Sequence, residues 1–479
     1  MMRRPNPTRL RWRVAAAAAA VLLTGCAAPA IESNYAEVQR SSRERLGADL
    51  KWLTTDEARR QARSDVDAAL ARPLSQDDAV RIALAYSPAL QSALAEGAAS
   101  SAAATQSARL PNPVFSFERL VRGEGDGREL EIGRALTLPL LDLLLLPARA
   151  RQADQRQQQL RLQAVGEVAQ AAIDARAAWV RAVAAQQSLA YFEQVKTAAD
   201  ASAELARRMQ AVGNFSKLQR ARQQAFYAEA VAQLARARQA AQSTREALVR
   251  ALGLDAEQAT GLKLPERLPD LPAQPQEEHA FGQQALDGRL DVALAKAHLG
   301  VVAQEQGLTR VTSLVDGLHL GVQRNSASGA PPQKGFDLEL PLPIFDAGDA
   351  HRAQAQASYL AALNKAAAVG VQAASQLREA YGSYRTAYDL ARHYRDEIVP
   401  LRRTIQEENL LRYNGMLIGV FELLADAREQ IGSVIQAIDA QRDFWLADAG
   451  LQAAALGKPT PFPGMDARPA SAGAPASGH

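Results

Sequence analysis

The sequence predicts a mainly α-helical chain carrying membrane β-hairpins, built as two tandem copies of one plan: a helix, a β-hairpin and a long helical pair. Three observations predict it. Landmarks recur just over 200 residues apart, paired segments in each copy alternate apolar and polar residues, and very long stretches rich in Ala, Gln, Arg and Glu are nearly free of proline. Leu138-Pro139-Leu140-Leu141-Asp142 returns 204 residues later as Leu342-Pro343-Ile344-Phe345-Asp346. Gly213, Phe215, Leu218, Ala221, Arg222 and Gln224 return at an offset of 206 as Gly419, Phe421, Leu424, Ala427, Arg428 and Gln430, and Leu252-Gly253 returns as Leu456-Gly457 at 204. Three landmarks in the same order indicate duplication, and the change of offset places two extra residues before the second Gly-x-Phe segment.

In chain order, residues 1–25 come first and read as a secretory signal. Arg3, Arg4, Arg9, Arg11 and Arg13 precede the apolar run Val14 to Leu23, which is too short to span a bilayer. Leu23-Thr24-Gly25-Cys26 resembles a bacterial lipobox, whose cysteine sulfur receives a diacylglyceryl group and becomes the first mature residue. Cys26 is the only cysteine in 479 residues. Ala27 follows it, where an aspartate would signal inner-membrane retention, so the resemblance implies a lipid anchor in the outer membrane.

Removing the signal also takes the formal charge from +3 to −2, so the basic pI belongs to the signal and a nucleic-acid partner loses its main support. A single cysteine excludes a disulfide framework, a zinc finger or an iron–sulfur site. The six histidines are at least fifteen residues apart, so there is no sequence-local metal site. No Gly-x-Ser-x-Gly elbow, phosphate loop or clustered ligand set points to an enzyme or a cofactor.

Residues 26–74 form an N-terminal periplasmic segment. The first repeat, 75–253, opens at Ser75, which with Asp78 has capping-box spacing, and continues as alanine-rich helix to about Ala108, where Pro111 and Pro113 end it. Phe115 and Phe117 alternate with Ser116 and Glu118, and Leu130, Ile132, Leu136 and Leu138 alternate with Glu129, Glu131, Gly133 and Thr137. These are strands over about 113–121 and 129–140, with Arg134 breaking the apolar row. After a linker, 254–276, the second repeat covers 277–457. Its strands are expected over about 314–324 and 335–343, where Leu318, Leu320 and Val322, then Phe336, Leu338, Leu340 and Leu342, alternate with polar residues or proline.

From about Pro147 to Val212, and from about Gly348 to Arg412, only Pro400 interrupts a helical composition. Roughly 65 helical residues at 1.5 Å each extend about 100 Å. Ile431, Ile435, Ile438 and Trp445 step by 4, 3 and 7, the seam of a packed helical pair. Residues 458–479 read as a flexible tail.

Beyond the signal no run of 18 apolar residues exists, so any membrane crossing falls to the strands. Four strands cannot close a barrel, whose minimum is about eight, and open edges in lipid leave amides unpaired. The chain must then share a barrel with copies of itself. In phase with the polar face are Glu118, Glu129, Glu131, Asp337 and Glu339, which place carboxylates toward a lumen.

The duplicated plan, Leu342-Pro343-Ile344-Phe345-Asp346-Ala347-Gly348 after the fourth strand, and the Gly-x-Phe turns resemble the outer-membrane efflux proteins of which TolC is the type member, over about residues 70 to 457. The first copy departs from that pattern, with Asp142-Leu143-Leu144-Leu145-Leu146-Pro147 where the second has Asp346-Ala347-Gly348. The resemblance implies a homotrimer, with a twelve-stranded barrel set in outer-membrane lipid and continuous with a periplasmic tunnel of twelve helices. It further implies a passive exit duct that works with a periplasmic adaptor and an inner-membrane pump.

The helical pairs must reverse at Gly213-Asn214-Phe215 and from Asn414-Gly415 to Gly419-Val420-Phe421, with glycine and asparagine suited to positive φ. By resemblance these turns dock the adaptor. Glu407 and Glu408 lie two turns before the second reversal, where by resemblance the tunnel closes, with Arg402 or Arg403 as partners. The alternative is a periplasmic coiled-coil lipoprotein that scaffolds without a pore.

Overall fold

A computed structural model of the chain describes residues 28–123, 129–277, 288–315 and 317–459, without the side chains of residues 28–30, Arg122, Val420 and Phe421. The predicted signal, Cys26 and nearly all of the predicted tail lie outside the described residues. Helices and strands follow in the order α1 (Ala28–Leu46), α2 (Asp56–Leu70), α3 (Gln76–Tyr86), α4 (Pro88–Ser107), β1 (Val114–Arg122), β2 (Glu129–Pro139), α5 (Leu140–Ala211), α6 (Lys217–Leu252) and the short α7 (Ala256–Gly261). Then come α8 (Leu290–Thr312), β3 (His319–Ala327), β4 (Gln333–Glu339), α9 (Asp349–His393), one π-helical stretch (Tyr394–Ile398), α10 (Val399–Asn414) and α11 (Val420–Leu456). None of the described helices is long and apolar enough to cross a membrane.

The chain divides into two units. The first takes residues up to Arg40, Leu94–Ala164 and Ala293–Val369, and contains the sheet. Its strands are antiparallel neighbours in the order β1-β2-β3-β4, so β1 and β4 are open edges. β1 and β2 pair from Val114↔Thr137 to Arg122↔Glu129, and β3 and β4 from His319↔Glu339 to Asn325↔Gln333. The two hairpins join where β2 meets β3, from Glu131↔Ala327 to Pro139↔His319.

Several boundaries differ from the sequence reading, each for a local reason. The helix expected to run unbroken from Ser75 to Ala108 is two helices, because Pro88 lacks an N–H and disfavours helical backbone at Ser87. Ser75 does cap α3, its Oγ accepting from Asp78 N at 3.1 Å, but the shorter Asp78 carboxylate accepts from the Ser75 hydroxyl at 2.7 Å instead of reaching back to the Ser75 amide. β3 begins at His319, not near 314, since α8 runs to Thr312 and a turn follows. β4 stops at Glu339, because Pro341 and Pro343 have no donor for a ladder.

The exits from the two hairpins also differ. β2 passes directly into α5 at Leu140, whose N–H donates to Leu318 O at 2.7 Å, so Pro147 lies inside the helix and not at its start. Asp142 in the first turn pairs with Arg149, and the four leucines that follow are good helix formers. In the second copy the chain is irregular until Gly348, whose φ of +69° and close approach to Ser313 admit no side chain.

The second unit takes Ser41–Ala93, Val165–Val292 and the chain from Gly370 onward, and holds the main cores. Leu74, Ile82, Trp179, Val183, Leu248 and Leu252 form one, with Trp179 Nε1 donating to Leu74 O at 2.8 Å. A second gathers Leu377, Tyr384, Tyr388, Phe444 and Leu451. Its tyrosines face the expected linker, and Tyr388 Oη donates to Pro272 O and Ala273 O at 3.1 Å while Tyr384 Oη accepts from Gln276 N at 3.0 Å. Trp445 Nε1 and Gln441 Nε2 donate to Pro269 O, so this proline-rich stretch is pinned along its length. Phe444 is fully buried and meets Tyr388 edge-on with centroids 5.7 Å apart. Phe444→Ala is expected to cost about 3–5 kcal/mol in chemical unfolding, and a loss under about 1 kcal/mol would deny the cluster its central place.

The glycine caps of α6 and α11 contact the starts of other helices in the same unit. Gly253, at φ +73°, sits against Ser87 and Pro88, and Gly457, at φ +82°, sits against Asp291. Nearby, Asp448 is buried and accepts from Gln452 Nε2 at 2.8 Å and Gln276 Nε2 at 3.3 Å. Burial pushes its carboxyl up, opposed by Arg176. A raised carboxyl favours the folded state only while protonated, so this site loses stability as pH rises from the ordinary value of 3.8 through the raised one. Asp448→Asn should flatten that decline in thermal unfolding compared between pH 3.5, below the ordinary value, and pH 7. Equal slopes in parent and variant would rule it out.

Candidate functional site: a two-faced sheet and the helical turns

Strand parity and register give the sheet two chemically distinct faces. One carries Glu118 on β1, Glu129 and Glu131 on β2, and Asp337 and Glu339 on β4, all five carboxylates expected there. Between them stand Gly133, Thr137, Gly321, Gln323, Asn325 and Gly335. A side chain at Gly321 would collide with the Asp337 carboxylate, and one at Gly133 would press on Glu118 and Asn325 at 3.4 Å. Small residues here let acidic groups lie flat over their neighbours.

The other face presents large apolar side chains that no described residue covers: Phe115, Phe117, Leu136, Val322, Phe336 and Leu338. Phe336 is 75% exposed. An apolar strip this wide needs an apolar cover, and both edges of the sheet still have unpaired backbone groups.

The two turns in the second unit reverse differently. At the first, Gly213 takes φ +83°, Asn214 N and Phe215 N both donate to Met209 O, and Ser216 with Gln219 forms a complete capping box into α6. Glu204, three turns earlier in α5, accepts from Arg207 and Arg208 at 2.7 Å, and those bonds hold its carboxyl down to about 2. At the second turn neither Gly415, at φ −80°, nor Gly419, at φ −82°, is left-handed, and Asn414 ends α10. Met416 is the residue at positive φ, 59°. The Phe421 side chain lies outside the described residues.

Sequence reasoning passed over the residues that dominate the surface of these turns. Met416 is 91% and Leu417 73% exposed, and Val212 and Leu218 are exposed at the first turn. The signal was present, since Met416-Leu417-Ile418 is an apolar triplet lodged between two glycines. Of the charges expected to seal the tunnel, Arg403 Nε does meet Glu407 Oε1 at 3.1 Å, within one helix. Arg402 instead pairs with Glu429 on α11, and Glu408 has no partner among the described residues. Asn409 bonds Asp426 across the same pair of helices, while Arg428 lies over the Phe226 ring at 4.4 Å and donates to Arg222 O. Among the described residues no cluster of His, Cys, Asp and Glu has the makings of a metal site.

The sequence matches no protein-family model and no curated protein. Solved structures do match. The outer membrane protein VceC of Vibrio cholerae superposes with a TM-score of 0.67 at 15% identity, over 80% of this chain and 96% of its own. The CmeC outer membrane channel of Campylobacter jejuni gives 0.68 at 14% identity, over 80% and 85%. The open state of the MtrE outer membrane channel of Neisseria gonorrhoeae gives 0.61 at 16%, over 81% and 91%. With helices, hairpins and reversals in this order, the chain has the fold of the TolC-type outer-membrane channels.

Proposed function

We propose that three copies of this chain form a passive exit duct through the outer membrane, fed by a periplasmic adaptor and an inner-membrane pump and tethered by a lipid on Cys26. The observation that carries this reading is the sheet: an exposed apolar face, a polar acidic face and two open edges on four strands. In lipid the edges must close on other copies, since unpaired amides there cost several kcal/mol each. Closure of β1 onto the β4 of a neighbouring copy gives twelve strands from three chains, with the acidic face inside.

Duplication is supported by the glycine caps. Gly457 lies 204 residues after Gly253, and its contact Asp291 lies 204 residues after Ser87, the contact of Gly253. Each repeat closes its last helix onto the start of the helix that leads into its own hairpin, which fits the division into repeats at 75–253 and 277–457.

Threefold symmetry turns each lumen carboxylate into a ring, and acidic rings favour cations. Protein purified from membranes should run as heat-resistant trimers and give single channels whose reversal potential in a salt gradient shows cation preference. Cys26→Ser behind a non-lipoprotein signal should leave both results unchanged, because the barrel holds the membrane unaided. A soluble, non-conducting periplasmic protein from that variant would favour the scaffold reading. Anion selectivity would remove the carboxylate rings from the account.

A further inference from the structure

The apolar face of the sheet is interrupted by a row of positive charge. Arg134 on β2, Arg324 on β3 and Lys334 on β4 lie directly opposite one another in register, and Arg119 on β1 stands on the next rung of that face toward the hairpin turns. All four are exposed. The same face carries no described carboxylate, and no described residue pairs with any of the four.

The fold itself gives no reason for such a row. Residues opposite one another across neighbouring strands have Cβ atoms about 5 Å apart, and like charges there are destabilising. On a surface that must be covered by lipid, unpaired cations are costlier still unless they meet an anion. On the helix side of the row the face is purely apolar, with Leu136, Val322 and Phe336, then Leu138, Leu320 and Leu338. On the other side the face carries Ile132 and Ser326 beside Arg119, then Val121 and Leu130, before the hairpin turns. A strip of positive charge near the turns above an apolar strip has the polarity of an anionic amphiphile lying along the strands. Three strands at about 4.8 Å spacing make the row about 10 Å wide, and two arginines offer forked donors suited to phosphate oxygens.

We propose that Arg134, Arg324 and Lys334, with Arg119, bind the phosphate of an outer-leaflet lipid headgroup whose acyl chains lie on the apolar rungs below. This rests on the outer-membrane reading above: with the long helices on the periplasmic side of the sheet, the hairpin turns at its other end lie at the outer surface. The test uses full-length trimers in detergent, stripped of lipid and then incubated with lipid A, its dephosphorylated form or phosphatidylcholine, with bound lipid counted by native mass spectrometry. The parent should retain lipid A roughly tenfold or more over the other two, and excess inorganic phosphate should not release it. R134Q/R324Q/K334Q should lose the preference, and R134K/R324K should keep it.

Equal retention of phosphorylated and dephosphorylated lipid by the parent overturns the site without recourse to any variant. Release by inorganic phosphate overturns the lipid assignment in favour of a simple anion site. In either case trimers that still conduct in bilayers leave the duct intact. Trimers that neither insert nor conduct bring down the outer-membrane reading and this inference with it.

Discussion

Phe336→Arg is expected to keep the chain out of the membrane while its helices fold. Phe336 sits in the apolar strip with Phe115, Leu136 and Val322 on the same rung, and it is open on the edge strand β4. A basic side chain deep in a bilayer costs about 2–4 kcal/mol on a barrel's lipid face, and the lost phenylalanine removes roughly 1.5–3 kcal/mol of apolar burial. Three copies pay both together. Lys334, two residues nearer the turns on the same face, lies closer to the interface, where the cost of charge falls and the headgroup phosphate proposed above meets it. Gln323→Arg is the matched control: it lies one residue from Val322 but on the polar face, so the trimer should insert and lose cation preference. The readouts are the membrane-bound fraction, heat-resistant trimer and single-channel current. Normal insertion and conductance of Phe336→Arg would mean that this face does not meet lipid.

Period-two alternation made the faces of the sheet legible, because each strand's own residues decide which side they take. Glu118, Glu131 and Asp337 could therefore be grouped from sequence, and Arg134 could be seen to break its row. That Arg134 stands beside Arg324 and Lys334 could not be read, since it depends on pairing between strands nearly 200 residues apart. The same limit hid the linker, which composition marks as loose and which Tyr384, Tyr388 and Trp445 fasten from distant helices. Local errors had local causes: Pro88 splits a helix that alanine content alone would continue, and Pro341 ends a strand that alternation alone would extend. Of the two arginines offered to the glutamates, Arg403 meets Glu407 along its own helix, whereas Arg402 takes Glu429, which is near in space and far in sequence.

Charging the helical turns is expected to abolish efflux without closing the duct. The strongest variant is Met416→Asp with Leu417→Asp, at the two most exposed apolar side chains of the second turn. Met416 occupies left-handed backbone at φ 59°, where aspartate is better tolerated than methionine, so the change does not strain the turn. The carbonyls of Tyr413 and Arg412, which accept from the amides of Met416 and Leu417, are untouched. Loss of function would thus report on contact and not on folding. An apolar anchor at the centre of an interface is worth roughly 2 kcal/mol or more, about thirtyfold in Kd, and each trimer would lose two anchors per chain. Phe215→Asp and Phe421→Asp should act in the same direction. By contrast, Glu407→Gln and Glu408→Gln should leave docking intact and raise the resting conductance. Glu407→Gln weakens the Arg403 pair, while Glu408→Gln removes an unpaired charge from the expected closing ring. The measurements are substrate accumulation in cells, crosslinking to the adaptor, and current through purified trimers. If the Met416/Leu417 double variant pumps and crosslinks as the parent does, the adaptor does not read these turns. If it instead loses trimer or conductance, the turns serve assembly, and docking must be sought elsewhere on the helices.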